Sequence, residues 1–456
     1  MIKPRLRIAA AALACAWVAV ARAASPDPLG ALVSEALAKN LSLEEARLES
    51  RRAASELTAA RARWLPAVRL ESRASQLHDV QDLGALVSPA YAALNRLTGT
   101  NAFPTELHLT LPRANESHVR VSQQLIDEPL RASVSLAAAR RDAERAALLT
   151  AARRLAADVQ IAYLQQASAR RVVDIQGSAL ELVQENERVA ERLLAAGRAT
   201  PEAVHRARAD RAEVEQALAD AREQAAAAAR ELNRIVGRPL ESPVDSLPDS
   251  AFATPLVTDL ESALRSALAG REELVGADAG VRAANAGVRA ATGAFLPSVA
   301  GGLDVAWQGD EWTLDRSHRS WSSSLVASWD LFRGGSDVAR RAAARAQVER
   351  ARVTRRDAAE RIAEEVTNAH QSALVAREAL ATSATRADAA RRTYALVHRR
   401  YEECSASPLE LTEARTQLTT AETNQVLTLY RYAIRRVDLE RAAALRDLTH
   451  AKGARP

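Results

Sequence analysis

The sequence predicts a mostly α protein with a small β portion, built from duplicated long coiled-coil helical hairpins plus four strands. Three observations carry that prediction. From Ile362 the residues Val366, Ala369, Ala373, Ala376, Leu380, Ser383, Ala387, Ala390, Tyr394, Val397 and Tyr401 follow in steps of four and three. Nearly all are apolar or small, and that 3.5-residue spacing holds one seam on one side of a helix. The same order of elements then occurs twice along the chain. Finally, four segments alternate apolar and polar with period two, as half-buried strands do.

Composition agrees. Hydrophobic residues make up 48% of the 456 but aromatics only 4%, so the apolar content is mostly alanine. That suits long, closely packed helices and is a poor recipe for a thick globular core. The net charge is +5, and Lys3, Lys39 and Lys452 are the only lysines. The arginines are interleaved with Asp and Glu along helix faces, the pattern of solvated i,i+4 pairs and not of a nucleic-acid surface.

In chain order, Lys3, Arg5 and Arg7 precede an apolar run, Ile8 to Ala21, and then Ala21-Arg22-Ala23. This reads as a secretory leader, residues 1–24, cleaved after Ala23 or Ala24. Cys15 has Ala12 three residues before it, where a lipoprotein leader carries an aliphatic residue such as Leu, so Cys15 is expected to leave unlipidated. Cys404 is then the only cysteine, and no intrachain disulfide can form. No other apolar run reaches membrane-helix length, which leaves β-barrel insertion open.

The first repeat is placed at 25–240. A short helix, Asp27 to Ala38, precedes one that Ser42 caps with Glu45 in a capping box, running to about Trp64. After Leu65-Pro66, strand one (66–76) sets Val68, Leu70, Ser72 and Ala74 against Arg69, Glu71, Arg73 and Ser75. Strand two (116–127) sets Val119, Val121, Gln123 and Leu125 against Arg120, Ser122, Gln124 and Ile126. Between them lies a long loop, Leu77 to Asn115, with a short helix near Ala90 to Leu97. His78, His108 and His118 lie in or beside it without metal-ligand spacing. A hairpin spans 129–236, with a seam through Leu148, Leu155, Val159 and Val173 and a break at Gly197-Arg198-Ala199-Thr200-Pro201. A proline-rich linker, 241–257, follows.

The second repeat is placed at 258–447, ahead of a tail at 448–456. Leu296-Pro297 stands where Leu65-Pro66 stood. Strands at 297–308 and 319–332 lead through Gly334-Gly335 into a hairpin at 335–446. It breaks at Cys404-Ser405-Ala406-Ser407-Pro408, with Ser407 suited to an N-cap and Pro408 to a first turn.

Each long helix would extend ~102 Å. Four strands cannot close a barrel, and unpaired edges are not tolerated in lipid. The chain is therefore expected to lend its strands to an oligomer, for which three copies would give a 12-stranded β-barrel of reasonable size, with Trp307, Trp321 and Trp329 at the lipid face. Arg69, Arg73 and Arg120 put positive charge on the wet face.

The duplicated order, the paired Leu-Pro entries, Gln124-Leu125-Ile126-Asp127, Trp329-Asp330-Leu331-Phe332-Arg333-Gly334-Gly335 and the two tips resemble the TolC-like outer-membrane efflux protein family. The resemblance covers essentially the whole mature chain. It implies a homotrimeric channel-tunnel, with a barrel in outer-membrane lipid and a helical tube across the periplasm. Such a channel is the exit duct of a tripartite efflux or type I secretion system, with a periplasmic adaptor and an inner-membrane pump below. It also implies adaptor docking at Gly197, Arg198, Ala199, Thr200, Pro201, Tyr401, Cys404, Ser405, Ala406, Ser407 and Pro408. Tyr401 matches the family's tip tyrosine, and Cys404 replaces its usual glycine. Ala406 and Ala203 stand where an Arg and an Asp would tie a closed tip, so such a tie would need residues such as Arg198 or Glu202.

Glu410 and Glu413, three apart on one helix face, match the family's acidic positions and would stack as two carboxylate rings at the narrow end of the tube. The competing reading turns both to solvent or adaptor, as first-turn acids suited to the helix dipole. The chain lacks a Gly-rich phosphate loop, an HExxH and a nucleophile elbow, so neither an enzyme nor a cofactor site is expected. The alternative function is a soluble periplasmic coiled-coil adaptor or structural protein. Two hairpins and four isolated strands argue against it, because an adaptor carries one hairpin between β-rich domains.

Overall fold

The computed structural model describes residues 28–76, 83–107, 115–247, 252, 255, 258–309, 315, 316, 318–403 and 405–445. The leader with Cys15, the tip residue Cys404 and the tail 448–456 lie outside the described residues. In order the elements are α1 (Pro28–Lys39), α2 (Leu41–Ala62), β1 (Ala67–Ala74), α3 (Gly84–Thr98), β2 (Asn115–Ile126), α4 (Glu128–Ala195) and α5 (Pro201–Val236). Then come α6 (Leu260–Gly270), α7 (Glu272–Gly293), β3 (Ser298–Gly309), β4 (Arg319–Ser328), α8 (Ser336–Glu402) and α9 (Pro408–Ala442).

The long helices have 68 and 67 residues, or ~100 Å each. Asp127 caps α4 by accepting from Leu130 N, and Pro129 fills a first-turn position that needs no N–H. Against α4 lie α5 toward the tip and α2 toward the strands, while α9 and α7 lie against α8 in the same manner. The hairpins meet through α4 and α9, and α7 packs on both α4 and α8. The seams bury small residues: Ala152, Val159 and Ala162 on α4, Val366, Ala373 and Ala387 on α8. The largest core cluster gathers α1, α2, α4, α5 and α9. There Phe252 sits between the rings of Tyr163 and Tyr430, and Tyr163 Oη accepts from Leu247 N and donates to Asp245 O. That arrangement clamps the interrepeat linker onto the helices.

The stacked helices are joined by side chains at their junctions. Asn40, not Ser42, caps α2. Its Oδ1 accepts from Leu43 N at 3.1 Å while its Nδ2 donates to Ile235 O, an orphan carbonyl at the end of α5, at 2.8 Å. One carboxamide thus satisfies two helix ends, which a Ser hydroxyl inside the first turn cannot do. Gly237 stops α5 with φ 81°, and a Cβ there would lie 3.1 Å from Lys39 Cβ and 3.2 Å from its carbonyl oxygen. Arg271, the N-cap of α7, has the equivalent place in the second repeat. Its guanidinium donates to Ala442 O at the end of α9 and pairs with Glu273 and Glu365. The repeats are tied by a buried bidentate pair, Arg153 of α4 with Glu272 of α7, at 2.9 and 2.6 Å.

The four strands form one antiparallel sheet in the order β1-β2-β3-β4. β2 and β3 pair although α4, α5, the linker, α6 and α7 separate them in sequence. Gln124 pairs with Ala300 but Ile126 with Val299, so a bulge falls at Leu125. Alternation places Ile126 on the wet face; the extra residue turns it to the apolar face instead.

Candidate functional site

The sheet has two unlike faces. On one, the register sets Val68 beside Val121, Leu70 beside Val119, Val119 beside Val305, and Val305 beside Trp321. No described residue covers this face: Val68, Leu70 and Leu325 are each 71% exposed, and Trp321 69%. Trp307 and Trp321 lie at one end of the apolar band. Trp329, just past β4, lies at the other, its Nε1 donating to Phe295 O. The eight residues from Trp321 to Trp329 span ~26 Å of strand, or ~20 Å of height once tilted as barrel strands are, close to the ~25 Å apolar band between aromatic girdles of an outer-membrane barrel.

The opposite face is a ladder of ion pairs. Arg120 Nε donates to Asp304 at 2.8 Å, His118 Nδ1 lies 3.0 Å from the same carboxylate, Arg73 reaches Glu116 at 2.7 Å and Arg69 reaches Glu71 at 3.2 Å. The positive lining expected from Arg69, Arg73 and Arg120 is thereby corrected to a balanced one. The register sets Glu116 across from Arg73 and Asp304 across from Arg120, where opposite charges attract.

The far end of the molecule holds the two helix breaks. At the first, Gly197 adopts φ 68°, Gly197 N donates to Leu194 O and Arg198 N to Leu193 O, so the last carbonyls of α4 are satisfied in a left-handed cap. Thr200 then stands at the N-cap of α5 without a side-chain cap bond, with Pro201 in the first turn. Gly197, Arg198 and Thr200 are exposed, and Ala199 is half-buried. At the second, Ser405 N donates to Arg400 O at 2.7 Å, and Ser407 opens α9 with a full capping box. Ser405 and Ser407 are exposed, Ala406 and Pro408 half-buried. Tyr401 faces inward, packed with Val189, Tyr394, Leu411 and Leu418 where the hairpins meet, so it holds the tip together instead of presenting a surface.

Glu410 and Glu413 are both exposed on α9. The Glu410 carboxylate turns back to accept from Ser407 N at 3.2 Å, with Arg400 at 3.6 Å. The Ser407 backbone bond, then the Ser407 hydroxyl and the Arg400 charge, hold it below the usual carboxylate range. The two acids are thus unlike in setting: Glu410 completes a cap, and Glu413 does not.

Within one chain, neither Arg198 nor Glu202 makes an ion pair across the hairpins among the described residues. Arg198 makes no ion pair with a described residue, and Glu202 pairs with Arg206 one turn on. A hydrogen bond that does cross between them runs from Thr412 Oγ1 of α9, which donates to Asp210 Oδ2 of α5 at 2.7 Å. Nothing in the sequence marks these two, since only the packing brings α5 beside α9. Within each hairpin, Glu187 pairs with Arg208 and Arg211 across α4 and α5, and Arg391 pairs with Glu422 across α8 and α9.

Comparison with known proteins agrees with this geometry. The family model described as outer membrane efflux protein matches two stretches, residues 32–238 and 263–445. Among solved structures, CusC superposes with TM-score 0.77 at 18% identity, covering 91% of this chain and 92% of that one. The CmeC outer membrane channel of Campylobacter jejuni gives 0.75 at 16%, covering 91% and 85%. The open-state MtrE outer membrane channel of Neisseria gonorrhoeae gives 0.73 at 20%, covering 91% and 88%. At these identities the likeness establishes the fold. No curated protein sequence matches the chain.

Proposed function

The chain belongs to the outer membrane efflux protein family, and from that premise we propose that three copies assemble into the exit duct of a tripartite efflux or secretion system. The observation that carries this is the uncovered two-faced sheet. β1 and β4 are both edges, and their unpaired backbone groups cannot enter lipid. Pairing β4 of one copy with β1 of the next satisfies both edges, closes twelve strands and turns the ion-pair ladder to the lumen. The ~100 Å helices then form the tube, whose narrow end carries both tips.

At that end Glu410 and Glu413 form two acidic rings. The stretches Gly197 to Pro201 and Ser405 to Pro408, together with Cys404, offer the docking surface for a periplasmic adaptor above an inner-membrane pump. A channel rather than an adaptor fits two long hairpins joined to a sheet with one apolar face. The test is extraction and reconstitution. The mature chain should need detergent, migrate as a trimer and form ion-conducting channels in planar bilayers. A monodisperse monomer, or full solubility without detergent, would overturn the proposal.

A further inference from the structure

The helix between the first two strands, α3, makes no substantial packing with any other helix or strand. It is nevertheless a defined unit. Gly99 ends it with φ 65°, and the chain folds back along it. Asn95 donates to Phe103 O at 2.7 Å and accepts from Phe103 N at 3.0 Å, the Tyr91 and Phe103 rings lie 5.7 Å apart, and Leu107 N reaches Ser88 Oγ at 3.4 Å. One face of α3 is therefore occupied by residues 99–107. The other is bare and apolar: Leu86 is 77% exposed and Leu97 84%, with exposed Ala90 and Ala93 between them and Val87 and Leu94 alongside. Steps of four, three and four make Leu86, Ala90, Ala93 and Leu97 a single stripe ~16 Å long.

A stripe of this kind costs free energy in water, so the question is what covers it. A helix lying on a membrane surface carries a strongly charged, Lys/Arg-rich face and aromatic anchors such as Trp. α3 has one charged residue, Arg96, and no Trp or Lys, so lipid is a poor match. Among the described residues nothing covers it. A second copy can. In the trimeric reading, on which this inference rests, the β1–β2 connection lies at the barrel end away from the helical tube, and three α3 units surround one opening. Twelve tilted strands ~4.8 Å apart enclose ~24 Å between backbones. Three helices ~10 Å across pack side by side within ~22 Å.

We propose that the Leu86–Ala90–Ala93–Leu97 stripe of α3 is an interface with the α3 helices of the two other copies, forming a three-helix cap over the extracellular mouth of the channel. Small residues at its centre let the helices approach closely, and the leucines at its ends seal against their counterparts.

The test uses the full-length trimer in a Cys404→Ser background. Ala93→Cys or Leu97→Cys, treated on intact cells with a short bifunctional maleimide, should give covalent dimers, the largest product that one thiol per chain allows. Ala92→Cys, under the return segment, should not. Leu86→Glu with Leu97→Glu should raise single-channel conductance by separating the cap. Trimer mass is read independently in detergent. If the trimer is intact but Leu97→Cys does not cross-link, the proposal fails. Protection from an impermeant maleimide would then assign the stripe to lipid, and free reaction would assign it to water. Loss of the trimer itself would remove the underlying reading and the cap with it.

Discussion

Replacing Glu272 by alanine removes the two hydrogen bonds it accepts from Arg153, a residue only 8% exposed, and empties the site that the guanidinium faces. Breaking a buried pair from one side costs about 3–5 kcal/mol, because the remaining charge is uncompensated. Glu440 lines the same cleft as Arg153 and offers a second carboxylate, so ~3 kcal/mol, the lower end, applies here. In a chain of this length that corresponds to a fall of ~3–6 °C in melting midpoint, extrapolating the size trend of smaller domains. The double variant Arg153→Met with Glu272→Leu removes both charges and fills the space with apolar atoms. It should melt near the parent or above it, since apolar replacement of a buried pair is neutral or stabilising. The assay is thermal unfolding of the detergent-solubilised protein, with amide exchange over the first turns of α7 as the local readout. If Glu272→Ala melts within ~1 kcal/mol of the parent, or the double variant falls as far as the single one, the pair is not the mutually compensated tie between repeats argued above.

Three further outcomes are expected. At the tip, Glu410→Gln keeps an acceptor for Ser407 N while removing charge. Glu410→Gln with Glu413→Gln should therefore abolish block by multivalent cations added from the periplasmic side of a reconstituted channel without loosening the trimer. Unchanged block would move both acids off the pore. At the α1–α5 junction, hydrogen bonds from Arg238 and then Lys39 lower the Glu35 carboxyl to about 2. A depressed carboxylate contributes stability above its unfolded value, and this is lost as pH falls through the folded one. Stability should therefore decline between about pH 4.5 and 2, and Glu35→Gln should flatten that part of the profile; an identical profile would remove the pair as its cause. Finally, an epitope inserted after Thr105 should be detected on intact cells, whereas detection only after the outer membrane is permeabilised would invert the topology.

The fold class was legible because it rests on short-range periodicity. A 3.5-residue seam of alanines and β-branched residues states a long packed helix wherever it occurs, and Leu-Pro followed by period-two alternation states a strand entry. The repetition of both, and the Gly197 and Ser407-Pro408 punctuation, are likewise written in neighbouring residues. What failed to show locally depends on partners far along the chain. Asn40 rather than Ser42 caps α2 because Ile235, 195 residues away, needs its carbonyl satisfied. Arg153 meets Glu272 across 119 residues, and Thr412 meets Asp210 across 202. Arg120 is neutralised only because the β2–β3 register brings Asp304 opposite it, and one bulged residue at Leu125 turns Ile126 to the other face. Period and punctuation are properties of a segment, so the sequence alone determined the elements, their order and, away from the bulge, their faces. Register, cap choice and charge pairing are properties of two segments in contact, and only the tertiary packing decides which segments those are.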